Sequence, residues 1–184
     1  MRIGDFLYFA PNVRFSAVDL SSPSLGDLWG TRIRAYYLAP TFECIEAGHA
    51  FAAGLLLTAT IDAMSRLQFR RGRVGRRPSG SEFKRFIVDS LPSFRDEQIA
   101  AKFYDEFRNG LTHEARIKNG GEFSFESQST VYTESGLLRV NPSYLVQEVD
   151  AALTKFVAQA TMDPTVRDEL ASPLREDFAA ELAQ

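Results

Sequence analysis

Apolar residues return every three or four positions along most of this chain, and proline and glycine separate the runs. That period marks amphipathic helices. Leu25, Leu28, Trp29, Ile33 and Tyr36 predict a first helix, with Ser22 as its N-cap and Pro23 in its first helical position. Pro40 ends it and opens a long helix to about Phe69. Apolar almost all round from Ala47 to Met64, that helix is the expected central core element. Phe83 to Leu91 predicts a further helix, ended by Pro92. Ser93 with Asp96 reads as a capping box for the next, which should run to about Lys118 and stop at Asn119-Gly120-Gly121. Asn141-Pro142 supplies a cap and first turn for a helix through Leu145, Val149, Leu153, Phe156 and Val157. Short acidic helices are expected after Asp163-Pro164 and Ser172-Pro173. Strand signals are few: Phe6 to Phe9 with Val13 to Phe15 across Pro11-Asn12, then Glu122 to Phe125 and Thr130 to Val140 with a turn at Glu134-Ser135-Gly136. The class is mainly α, an antiparallel helical bundle with a small β-hairpin after the 93–118 helix and a short N-terminal hairpin.

With 184 residues, 45% of them hydrophobic, the chain suits a single helical domain over residues 1–162, followed by an acidic helical tail over 163–184. Its one cysteine, Cys44, excludes an intramolecular disulfide framework and a cysteine-rich zinc site, and points to a reducing, cytoplasmic setting. Cys44 reads as a small buried hydrophobe. The N-terminus MRIGDFLYF lacks the apolar run of a secretion signal, and Ala50 to Ala59 is too short to span a bilayer, so no membrane is expected. The Gly72 to Gly80 patch lacks the Lys-Ser/Thr ending of a nucleotide loop. With no metal-spaced His/Cys set either, no cofactor and no metal are expected.

Charge changes the picture. Residues 66–85 hold Arg66, Arg70, Arg71, Arg73, Arg76, Arg77, Lys84 and Arg85 against Glu82 alone, whereas the tail from Asp163 has six acidic residues and two basic ones. Within a chain of net charge −3, the Arg70, Arg71, Arg73, Arg76, Arg77 segment is a local footprint for a polyanion such as RNA, or else a solvated loop.

The chemistry concentrates in Arg108-Asn109-Gly110-Leu111-Thr112-His113. At about 100° per residue from Ile99, Phe103, Phe107 and Leu111 fall at about 40°, 80° and 120°, a core-facing stripe. Arg108, Thr112, Asn109 and His113 fall at about 180°, 220°, 280° and 320°, away from the core. Gly110 lies beside the stripe, where it would allow close helix packing. A fixed cation, an amide and an imidazole on one face can cut RNA without a metal. The 2′-OH is the nucleophile, one imidazole takes its proton, another protonates the leaving 5′-oxygen, and arginine stabilises the phosphorane. The chain has only two histidines, and His49 reads as a core or subunit-contact residue. A two-fold axis would therefore be needed to bring two His113 and two Arg108 into one cleft. Asp62, in an otherwise apolar helix, needs a partner, either Arg108 or a local arginine. Tyr104 rims the core or stacks on a base. Trp29 and Phe42 read as packing.

The stretch FYDEFRNGLTHEARI, after the helix AGLLLTATIDAMSRL, resembles the HEPN superfamily over roughly residues 45–160, leaving the N-terminal 40 residues and the tail outside. The resemblance implies a metal-independent endoribonuclease with a composite dimer site. Arg108 and His113 would be catalytic, Asn109 would assist, and Asp62, Tyr104 and Thr112 would support them. It also implies a role as toxin or phage-defence effector, with an antitoxin protein as partner. The alternative is a non-catalytic HEPN-like module for nucleic-acid or nucleotide binding or for assembly, in which the same face is a partner surface.

Overall fold

A computed structural model describes residues 1–68 and 80–179. In chain order it has strands β1 (Arg2–Ile3), β2 (Phe6–Ala10) and β3 (Val13–Arg14), and helices α1 (Leu25–Ile33), α2 (Ala39–Glu46), α3 (Ala50–Gln68) and α4 (Gly80–Ser90). Helices α5 (Glu97–Lys102) and α6 (Gly110–Glu114) come next, joined by a π-helical stretch, Phe103–Asn109. Strands β4 (Glu122–Phe123), β5 (Val131–Glu134) and β6 (Leu137–Val140) then lead to helices α7 (Pro142–Met162) and α8 (Pro164–Asp177). The protein is mainly helical, with two small sheets among the described residues. It divides into two compact units, one of Met1–Tyr36 with Leu153–Gln184 and one of Tyr37–Ala152.

In the first unit β1, β2 and β3 form an antiparallel meander with Ile3 opposite Phe6 and Ala10 opposite Val13. The expected N-terminal hairpin is present and gains a third strand. Helix α1 begins at Leu25, two residues beyond Pro23. Ser22 does not cap it, because its hydroxyl accepts the Ser24 N–H at 3.2 Å in a local turn instead. Gly26 and Gly30 let α1 lie close to α7: a Cβ at Gly30 would stand 2.8 Å from Val157 Cγ2. The described part of the acidic tail, residues 163–179, holds one helix, not two. Asp163 caps it, accepting the Thr165 N–H at 2.8 Å, and Pro173 stays inside it. Leu170, Ala171 and Pro173 are buried, and the Phe178 ring lies 4.8 Å from that of Phe15. One stripe of the tail helix is thus core material despite the charge around it.

In the second unit the expected helix from Pro40 to Phe69 is broken. Gly48, at φ +75°, ends α2 with its own N–H bonded to Ile45 O and the His49 N–H to Cys44 O, the Schellman pattern that only a left-handed residue closes well. Helix α3 buries Ala53, Gly54, Leu57, Ile61 and Met64 and leaves Phe51 and Leu55 exposed, so it is half a core helix. By length and composition it is the one helix among the described residues apolar enough to cross a membrane, with mean hydropathy 1.3. Asn141 caps α7 as expected, accepting the Ser143 N–H at 2.9 Å. The β-hairpin joins Glu134 to Leu137 through Ser135 and Gly136, both at positive φ, a two-residue turn matched to strand twist. Strand β4 adds to it in parallel beside β6. Glu148 of α7 accepts hydrogen bonds from the Ser93 N–H (3.1 Å), the Ser93 hydroxyl and Thr130 Oγ1. Ser93 is therefore spent on that tie, and Asp96 alone caps α5, accepting from Gln98 N at 2.7 Å.

Candidate functional site

A row of aromatic rings fixes the α5–α6 helix. Phe94 and Phe103 meet edge to face at 4.9 Å, Phe103 stacks on Phe107 at 5.2 Å, and Phe107 meets Phe123 of β4 at 5.0 Å. Phe123 in turn covers Gly54 of α3, where any Cβ would overlap its ring. Phe103 and Phe107 are fully buried and Leu111 nearly so, as the apolar spacing predicts. Glu106 is buried as well; its carbonyl accepts the Lys118 N–H at 2.9 Å and its carboxylate the Asn119 amide at 3.4 Å.

Two local features depart from the expected regular helix. Phe103–Asn109 winds as π-helix, with i→i+5 bonding, a variant that occurs mostly as short bulges. The helix also ends at Glu114 rather than Lys118, because Ala115 takes a left-handed φ of 54° and the Arg116 N–H turns back to Gly110 O at 3.3 Å. A Cβ at Gly110 would strike the Arg116 carbonyl. The glycine admits the chain's own return, not a neighbouring helix.

On the other face Arg108 is held on several sides. Its Nε donates to Asp62 Oδ1 at 3.1 Å and its Nη1 to Asn109 Oδ1 at 3.1 Å, and the guanidinium carbon lies 5.8 Å from the centre of the Tyr104 ring. Its side chain is 15% exposed and that of Asp62 23%. Asp62 also accepts from Arg66 Nε at 2.7 Å, so both of the expected partners, the distant arginine and the local one, share it. Tyr104 packs against Phe83 at 5.5 Å and closes over Gly80, with Lys84 Nζ 5.8 Å from its ring.

His113 contrasts with this. It is exposed, as is Thr112, whose hydroxyl donates to the Arg108 carbonyl at 2.7 Å. Beside it, the Glu114 carboxyl is held below its usual range by hydrogen bonds to Lys118 (3.0 Å) and Arg116 (2.7 Å). The ammonium of Lys118 is raised in return by the same carboxylate. Among the described residues no three His, Cys, Asp and Glu side chains are placed to hold a metal ion.

The structure thus brings Arg108, Asn109, Asp62 and Tyr104 together and leaves His113 and Thr112 facing solvent on the same helix. Arg70, Arg71, Arg73, Arg76 and Arg77 lie outside the described residues. The described residues flanking them are at the site: Arg66 bonds Asp62 just before them, and Gly80 lies under Tyr104 just after. No family model, curated protein or solved structure matches this chain. Geometry therefore carries the functional argument.

Some site residues escaped the sequence reading. Arg66 had a signal, its i, i+4 spacing from Asp62. Gly80 and Lys84 had none, because nothing in the sequence brings the start of α4 to Tyr104. Of the lesser expectations, Cys44 is half-buried rather than buried, Phe42 is 47% exposed rather than packed, and His49 is exposed at the α2–α3 turn.

Proposed function

We propose that this chain is a HEPN-type, metal-independent endoribonuclease of the cytoplasm that acts as a homodimer. The observation that carries the reading is an arginine that is oriented but not saturated. Among the described residues two of the five N–H groups of Arg108 are committed, to Asp62 and Asn109, and the rest of the fork is left for an anion. A guanidinium pinned in this way suits the non-bridging oxygens of a phosphate, since its position is set before the ligand arrives. His113 follows on the same helix, open to solvent, and an imidazole can serve as general base or general acid.

In the reaction the 2′-oxygen attacks the adjacent phosphorus as one His113 takes its proton. The bond to the 5′-oxygen breaks, and the partner's His113 protonates that oxygen. The products are a 2′,3′-cyclic phosphate and a 5′-hydroxyl. Arg108 neutralises the charge on the pentavalent phosphorus, Asn109 keeps the guanidinium in plane, and Asp62 and Tyr104 hold it from behind. The basic residues from Arg70 to Arg77 steer the RNA backbone inward. Such chemistry fits a growth-arresting effector, a toxin held by an antitoxin protein or a phage-defence nuclease.

The test is incubation of the protein with defined RNAs in excess EDTA, alongside Arg108→Ala and His113→Ala. Cleavage that leaves cyclic phosphate ends and disappears in both variants is the expected result. Cleavage that persists in both would sink this site.

One observation favours a second reading, a HEPN-like binding or assembly module without catalysis. The Arg66–Asp62–Arg108 network also serves as an internal tie between α3 and the α5–α6 helix. In that case the wild type binds RNA or a partner without cutting RNA, and Arg108→Ala and His113→Ala weaken that binding.

A further inference from the structure

The half-buried cations of the second unit differ in what balances their charge. Arg139 has the carboxylates of Glu134 at 2.6 Å, Glu122 at 2.9 Å and Glu126 at 3.8 Å. Lys118 has those of Glu114 at 3.0 Å and Asp105 at 3.9 Å. Arg108 has only Asp62, at 3.1 Å, and shares it with Arg66. Lys84 has no carboxylate partner among the described residues. Its ammonium lies 5.8 Å from the centre of the Tyr104 ring, and the guanidinium carbon of Arg108 lies 5.8 Å from the same centre. The Tyr104 hydroxyl also makes no hydrogen bond among the described residues. Taking a cation partly out of water is costly unless an anion meets it. Around this ring Arg66, Arg108 and Lys84 are ion-paired, among the described residues, to Asp62 alone. The chain balances Arg139 and Lys118 itself and leaves this cluster short of negative charge.

We propose that Lys84 is a second phosphate-binding residue. Arg108 takes the phosphate to be cut, Lys84 takes the next phosphate of the same RNA strand, and the Tyr104 ring sets the distance between the two cations. That distance is at most twice 5.8 Å, a span that two neighbouring phosphates and the hydrogen bonds to them can bridge. The site therefore takes a stretch of strand in preference to an isolated phosphate. The residue types suit the division. The planar fork of arginine matches the phosphate whose geometry changes in the reaction, and the compact charge of lysine holds a neighbour without fixing its orientation.

The choice of RNA as the strand rests on the ribonuclease reading. The two-phosphate geometry does not, and its test uses ligands that cannot be cut.

Isothermal titration calorimetry of the full chain compares adenosine 3′,5′-bisphosphate, whose phosphates flank one ribose as in a strand, with adenosine 3′-monophosphate and with a 2′-O-methylated oligoribonucleotide. The wild type should bind the bisphosphate about 10-fold tighter than the monophosphate. Lys84→Ala should remove that preference, weaken the oligonucleotide about 10-fold and reduce its salt slope by about one. Lys84→Gln, which keeps the stem against Tyr104, should do the same, so a packing defect in Lys84→Ala is recognised. Arg85→Ala deletes the same charge one residue along, from an exposed side chain paired with Asp89 at 3.4 Å, and should leave the preference in place. Equal affinity of the wild type for the two nucleotides overturns the proposal. So does a preference that survives both Lys84 variants, or an equal loss in Arg85→Ala. A protein that cuts no RNA yet keeps the Lys84-dependent preference would lose the ribonuclease reading and retain this one.

Discussion

Arg108 and His113 share one short helix and are treated oppositely by it. Arg108 is drawn inward, bonded to a carboxylate from α3 and to its neighbour's amide, over an aromatic ring. His113 stands in solvent one turn beyond the π stretch. The difference matches what each group would do in the proposed reaction. A cation that stabilises developing charge works best when its position is fixed beforehand, since reorganisation at the moment of reaction is then avoided. An imidazole that exchanges protons needs access, and in the proposed site it acquires its surroundings only from substrate and a second copy.

The contrast can be broken at its common support. Phe107→Ala removes a fully buried ring that touches Phe103 and Phe123, and should cost about 3–5 kcal/mol in urea unfolding. Both residues would lose their platform together. A loss under 1 kcal/mol would mean that the aromatic row is not what holds the helix. Gly110→Ala forces a methyl group against the Arg116 carbonyl and should cost about 1–3 kcal/mol, releasing the helix end with His113 before it disturbs Arg108. Hydrogen exchange at Leu111 to Ala115 should rise first.

Finer substitutions separate the two residues. Asp62→Ala leaves the largely buried guanidinium of Arg108 and the exposed one of Arg66 without their carboxylate and should cost about 1–2 kcal/mol, while Asp62→Asn retains the acceptor and should cost less. RNA cleavage should fall with Arg108 misplaced, even though Asp62 touches no substrate. His113→Ala should leave stability within about 0.5 kcal/mol of wild type and abolish cleavage. A large stability loss there would put His113 among the structural residues. Glu114→Gln should have the smallest effect. The Glu114 carboxyl is held below its usual range, so its contribution is present above the unfolded carboxyl pKa and is lost as pH falls through the depressed folded value. The melting-temperature gap between Glu114→Gln and wild type should therefore be visible at pH 7 and close in acid.

Much of the helix placement was legible because it rests on local chemistry. Pro92, Asn141 with Pro142, and Asp163 with Pro164 punctuate the chain where the structure does, and the spacing of Phe103, Phe107 and Leu111 names the buried face correctly. What failed was local signal overruled or overlooked. Gly48 announces a left-handed helix end, yet the apolar run around it suggested continuity. Ser22 and Ser93 look like caps but spend their hydroxyls elsewhere, the second on Glu148, distant in sequence. Pro173 sits within a helix because its neighbours Leu170 and Ala171 are buried. At the candidate site, the need of Asp62 for a partner could be read from burial cost alone, whereas the approach of Gly80 and Lys84 to Tyr104 is a product of tertiary folding. The class of chemistry was read from six residues, and the fold adds the ties of Arg108 to Asp62, Asn109 and Tyr104.

The π winding from Phe103 to Asn109 has a consequence for how this chain tolerates changes in length. A turn bonded i→i+5 accommodates one residue more than an α turn between the same two ends. The helix therefore carries a spare residue. Deleting one position ahead of Arg108, such as exposed Asp105, should let the stretch relax to α winding while Asp96 still caps one end and Gly110 still receives the returning chain at the other. A deletion that most helices would register as a rotation of everything downstream would here be absorbed as slack.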